Sequence, residues 1–134
     1  CALPICILDP EDARAAVGSG ADALIVSNHG GRQLDGAMSS IQALPAIVDA
    51  VGKDIEVWMD GGIRSGQDVL KAWALGARGT MIGRAFLYGL GAMGGEGVSK
   101  CLEIIHKELD LTMAFTGHRD IHNVGKDVLV PGTY

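Results

Sequence analysis

The sequence predicts an α/β chain built on a parallel sheet, and three observations carry that reading. Four short apolar runs, Ile5-Leu8, Ala23-Val26, Ile55-Met59 and Gly79-Ile82, alternate with segments of helical periodicity. They lack in-and-out alternation, the mark of strands covered on both faces. Glycine-bearing loops follow the second, third and fourth runs, each before a helical segment. Right-handed βαβ units build either an open doubly wound sheet or a closed (β/α)8 barrel. A barrel takes about 250 residues, so these 134 residues read as a small open-sheet domain or as the C-terminal half of something larger.

The first helix follows Ile5-Leu8, with Asp9 as its N-cap, Pro10 at the first helical position and Asp12 near the positive end of the dipole. Gly18 and Gly20 stop it. A second helix opens at Ser39 or Ser40 and places Ile41, Leu44, Ile47, Val48 and Val51 on one face. A third starts at Ser65, with Asp68 completing a capping box, and ends at Leu75-Gly76. After the fourth run, a Gly-rich bend from Gly89 to Gly97 leads to a long helix on which Val98, Leu102, Ile105, Leu109 and Met113 keep helical spacing. The tail from Gly117 onward reads as polar and irregular.

Composition narrows the functional classes. A chain 48% apolar with a net charge of -5 suits one soluble globular unit. Its eleven Lys and Arg residues are scattered, so no basic surface for nucleic acid is expected. Cys1, Cys6 and Cys101 are an odd set without Cys-x-x-Cys spacing, which suggests reduced, intracellular thiols and no metal site. His106, His118 and His122 lack partners at ligand spacing and receive no role. Trp58 and Trp73 read as packing aromatics, and Cys101 as a small apolar side chain. No apolar run approaches the roughly 20 residues of a bilayer span. The expectation is a cytoplasmic protein, with peripheral docking at the inner face of the membrane as the alternative.

The chemistry is concentrated in three loops. Asp60-Gly61-Gly62-Ile63-Arg64-Ser65 lies between the third strand and its helix, and Gly83-Arg84 follows the fourth strand. Glycines let backbone approach an anion, helix N-terminal amides point at it, and arginine adds a charged fork. Such loops after consecutive final strands are where barrels hold phosphate; the plainer reading is tight turns beside solvated arginines. After the second strand, Ser27-Asn28-His29-Gly30-Gly31-Arg32-Gln33-Leu34-Asp35-Gly36 puts an imidazole and a guanidinium on the same rim. Arg32 can fork a carboxylate while His29 takes a proton. The bland alternatives are a turn histidine and an Arg32–Asp35 ion pair.

These stretches, with Ile82-Gly83-Arg84 and Ala74-Leu75-Gly76-Ala77, are specific enough to name a resemblance. From Ile7 to about Asn123 the chain resembles the C-terminal part of the FMN-dependent 2-hydroxy-acid oxidising enzymes, the glycolate oxidase and L-lactate dehydrogenase family. The resemblance implies a TIM barrel of which these are strands five to eight, with FMN across the C-terminal rim. It implies His29 as active-site base, Arg32 as substrate-carboxylate arginine, Ser27 near the flavin, and Asp60, Gly61, Gly62, Arg64, Gly83 and Arg84 as ribityl and phosphate contacts. The implied reaction converts an L-2-hydroxy acid to the 2-oxo acid. Hydrogen leaves C2 either as a proton or as a hydride, and electrons pass to a respiratory-chain component or to oxygen. The parent is expected to be a homo-oligomer.

Two departures stand out. The family carries a flavin-contacting lysine just before Gly-Ile-Leu-Asp, where this chain has Ile5 followed by Cys6. Residues 1–6 are therefore read as a junction. The resemblance also assigns the substrate tyrosines, the carboxylate that orients the histidine and much of the flavin ring pocket to a first half that these residues do not contain. The chain as given is expected to be inactive alone. Thr112-Met113-Ala114-Phe115-Thr116-Gly117 and the Glu56-Val57-Trp58-Met59 strand look most like bacterial L-lactate dehydrogenase-type members. A catalytically silent phosphate-binding half-barrel is the competing reading. Another phosphate-dependent barrel, such as an IMP dehydrogenase relative, has no use for the His29 and Arg32 loop.

Overall fold

A computed structural model describes residues 3–134. Four strands, β1 (Ile5–Ile7), β2 (Ala23–Val26), β3 (Glu56–Asp60) and β4 (Gly79–Met81), form one parallel sheet in chain order. Helices α1 (Pro10–Gly18), α2 (Ser40–Val51), α3 (Gly66–Ala74) and α4 (Arg84–Phe115) follow them in turn. All four strands point the same way, so the loops after β2, β3 and β4 open on a single rim.

Local signals explain most boundaries. Asp9 is extended and accepts from the Glu11 amide at 2.7 Å, and Pro10 begins α1. Ser65 and Asp68 form the reciprocal capping box of α3. Ser39 precedes α2 without capping it; its hydroxyl donates instead to Gln42 Oε1 at 2.8 Å. Gly79 must lack a side chain because the Trp58 ring on the adjacent strand lies against its Cα, where an added Cβ would meet the ring at 2.9 Å.

The core lies between sheet and helices. Leu24, Val26, Val57 and Met59 from the strands meet Leu44, Ile47 and Val51 of α2 and Leu75 at the end of α3, all at or near zero exposure. Burying such a side chain contributes about 1.5–3 kcal/mol, which fixes the strands whose ends carry the loops. The predicted face of α2 holds, with Ile41 and Val48 half-buried at its margins.

Three expectations need correction. The Gly89–Gly97 stretch is helical on both sides of a break confined to Met93 and Gly94, where Gly94 takes φ +63°. The backbones of Gly89 and Gly97 come together across that break, leaving no space for a Cβ on either. Glycines expected to form a loop instead allow a close approach. On the second arm Ile105 is buried and Leu109 and Met113 pack on α3, but Leu102 is 52% exposed because its face meets no other described element.

The tail is also more ordered than its composition suggests. Single 3-10 turns at Ile121–Asn123 and Lys126–Val128 bring Val124 into a second small core with Leu70 and Ala74. There His122 acquires a packing role, edge-on to Trp73 with ring centroids 5.2 Å apart, while Arg78 lies 5.3 Å over the same indole. Cys6 and Cys101 are free thiols, as expected; Cys1 lies outside the described residues.

Candidate functional site

Every residue singled out for chemistry lines one cavity. It measures about 700 Å³ and is bounded by Ser27, His29 and Arg32 after β2, Asp60, Gly61, Gly62 and Arg64 after β3, and Gly83 and Arg84 after β4. Ile5, Ile63, Met81 and Leu87 supply an apolar wall. The size falls within the roughly 300–1,000 Å³ of pockets for cofactors and similar ligands.

The loop after β2 is held from beneath. Ser27 is buried, and its hydroxyl accepts from the His29 amide at 3.0 Å. Buried Ser40 at the start of α2 accepts from the Asn28 amide at 3.2 Å. Thus anchored, His29, Gly30 and Gly31 run through three consecutive left-handed conformations, φ +56°, +66° and +72°. A left-handed histidine is uncommon, and the turn lifts the imidazole to the exposed rim. Its Nδ1 stands 3.8 Å from Cys6 Sγ. Arg32 is exposed and, among the described residues, makes no ion pair with Asp35, whose carboxylate instead accepts from the Gly36 amide at 3.1 Å.

Arg84 ties two loops together, donating to the Gly30 carbonyl at 3.4 Å. A Cβ on Gly30 would come within 3.1 Å of that guanidinium, so glycine makes room for the contact. Gly61 and Gly62 take φ +94° and +83°, which turns the chain sharply off β3. Arg64 is exposed, and neither it nor Arg84 forms an ion pair among the described residues.

The two helix N-termini at the rim differ in a way the sequence did not reveal. Asp68 accepts from the amides of Arg64 and Ser65, each at 3.0 Å, and Glu108 of α4 accepts from the Gly66 amide at 3.0 Å. The donors expected to face an anion at α3 are therefore occupied by the protein's own carboxylates. At α4, by contrast, Gly83 offers no side-chain cap and the first turn contains no acid, leaving the positive end of that dipole open to the cavity.

Sequence reasoning missed Glu108, which lies 42 residues from its partner and carries no local signal. It also missed a second hollow of about 430 Å³ behind the rim, where Lys71 and Tyr134 approach the opposite side of Gly61, Gly62 and Arg84. The approach of Cys6 to His29 had one signal: a side chain at a position where glycine was expected. The structure gives the reason for that expectation, since Cys6 takes φ +67°. Among the described residues no cluster of His, Cys, Asp or Glu could hold a metal ion, and no helix is long and apolar enough to cross a membrane.

A rim of glycine turns and arginines around a proton-accepting side chain defines a phosphate-handling α/β protein. Residues 5–131 match the family described as FMN-dependent dehydrogenase, and the chain belongs to that family. It is 56% identical over 123 residues to L-lactate dehydrogenase of Caulobacter vibrioides, covering 92% of this chain and 32% of the relative. It is likewise 56% identical over 124 residues to L-lactate dehydrogenase of Acinetobacter baumannii, with 92% and 32% covered. Among solved structures, an oxidised active mutant of (S)-mandelate dehydrogenase superposes with a TM-score of 0.89 at 43% identity, covering 93% of this chain and 35% of the other. A mandelate oxidase mutant with an FMN adduct gives 0.87 at 47% identity, covering 92% and 40%. The chain thus spans about a third of the length of the curated relatives it matches, 32%. Its four βα units are a portion of a (β/α)8 barrel.

Proposed function

We propose that the polypeptide to which these four units belong oxidises an L-2-hydroxy acid, L-lactate foremost, to the 2-oxo acid with FMN. The supporting observation is the convergence of all nine sequence-selected residues on one 700 Å³ cavity. The cavity suits the cofactor: left-handed Gly61 and Gly62, the uncapped N-terminus of α4, and Arg64 and Arg84 would hold the phosphate end. Ser27 and Asp60 lie toward the ribityl chain, and the Ile5, Met81 and Leu87 wall suits an apolar ring face. When bound, FMN supplies the acceptor for the electrons leaving the substrate.

The chain's own residues do the rest. Arg32 pairs with the substrate carboxylate through two parallel hydrogen bonds and fixes the hydroxyl-bearing carbon. His29 takes a proton as the substrate is oxidised. The Arg84 to Gly30 contact keeps the His29 loop and the phosphate loop in register. Electrons leave afterwards to a respiratory carrier or to oxygen. We further propose that residues 1–134 alone do not turn over, because the remaining walls of the substrate pocket come from additional barrel units.

Grafting residues 5–131 in place of the matching segment of the Caulobacter enzyme tests this reading. The chimera is expected to bind FMN and to reduce a dye with L-lactate, whereas the isolated chain does not. A folded, FMN-loaded chimera without L-lactate turnover would overturn the proposal, and lactate-dependent dye reduction by the isolated chain would overturn its second part.

A further inference from the structure

We propose that Cys6 is a covalent modification site for soft electrophiles, with His29 as the base that takes its proton. The thiol does not stand alone. Its sulfur lies 3.8 Å from His29 Nδ1, within the longer reach of hydrogen bonds to sulfur, and both side chains are exposed. A nucleophile beside a base is the arrangement that activates thiols, because the thiolate is the reacting form. Both residues hold left-handed backbone, φ +67° and +56°, so the pair is set by two fixed turns rather than by chance contact of mobile chains. The adjoining Ile5 and His29 itself line the 700 Å³ cavity, which gives an adduct somewhere to lie. Cys101 provides the internal contrast: it is half-buried on α4 beside a hollow lined by Arg64, Met93 and Ile104, with no imidazole on that wall.

With a maleimide the step balances without oxidant or leaving group. The thiol proton passes to Nδ1, the sulfur electron pair forms a bond to one alkene carbon, and the alkene pair moves toward the other. That carbon takes up a proton from solvent or from the imidazolium. The bulk of the adduct then sits against His29. The consequence for turnover rests on the reading of His29 as proton acceptor, whereas the labelling itself does not.

The test uses the full chain carrying Cys1→Ser, with N-ethylmaleimide as the probe and peptide mass mapping as the readout. Cys6 is expected to label about tenfold faster than Cys101, and His29→Gln to remove most of that advantage while leaving the Cys101 rate within about twofold. His29→Asn, which tolerates left-handed backbone, provides the same comparison should the glutamine disturb the turn. A Cys6 rate equal to that of Cys101, or one unchanged in both His29 variants, would overturn the proposal. In the Caulobacter chimera, prior labelling should abolish L-lactate turnover, and Cys6→Gly should make turnover insensitive to maleimide. Labelling that is fast and His29-dependent yet leaves turnover intact would contradict the catalytic reading of His29 and not the modification site.

Discussion

The N-terminus of α3 and the N-terminus of α4 carry the same sequence signal, a strand, then glycine and arginine, then a helix, yet they are physically opposite. At α3 the first amides are spent on Asp68 and on Glu108. At α4 there is no side-chain cap and no acid in the first turn. A negative charge near a helix N-terminus is favourable, and at α3 the protein has supplied that charge itself. An incoming phosphate would meet two carboxylates there, whereas at α4 it would complete an unsatisfied end. The comparison therefore divides the two loops: the α3 loop contributes its Gly61-Gly62 turn and Arg64, and the α4 junction supplies the amides.

The largest expected effect lies where α4 crosses α3. A Cβ on Gly66 would run into the backbone of Glu108 and Leu109, atoms that cannot move without shifting the whole of α4. Gly66→Ala should therefore cost about 3 kcal/mol or more, measured by chemical denaturation of the chain. A loss under 1 kcal/mol, roughly, would show that the crossing is soft.

Arg84→Met comes next. It removes a guanidinium from the open helix end and its tie to Gly30, and should weaken FMN affinity of the chimera by about thirtyfold, read by flavin fluorescence. Arg64→Met should weaken it less, by about fivefold, since this exposed arginine stands beside the self-capped helix. Equal losses would erase the distinction between the two junctions. Asp68→Asn should have the smallest effect, about 0.5–1 kcal/mol of stability from the weakened capping box, with no loss of FMN affinity. A substantial loss would mean that Asp68 orients the phosphate loop rather than merely closing the helix.

Much of the fold was legible because local rules sufficed. Continuous apolar runs marked the four strands to within a residue or two, and Asp9-Pro10 and Ser65 with Asp68 marked helix starts. Where the sequence misled, the cause was tertiary. Gly89 and Gly97 read as a bend because glycine breaks helices in isolation, yet here they let two helical arms touch. Leu102 kept the right spacing but meets no other described element. His122 had no local meaning until the tail folded back on Trp73.

The site residues were legible for a related reason. Loops at strand ends are placed by topology, so a parallel order alone brought His29, Arg64 and Arg84 to one rim. What topology does not specify is which amides remain free, because Glu108 reaches α3 from a distant part of the chain.

The account's central claim is that His29 moves the proton while the glycine turns and arginines only hold the ligand. The most direct measurement is the L-lactate turnover number of the chimera carrying His29→Gln, taken after FMN occupancy has been verified. The expected result is full FMN loading with turnover lower by about a thousandfold. A turnover number near that of the unmutated chimera at full FMN loading would contradict it.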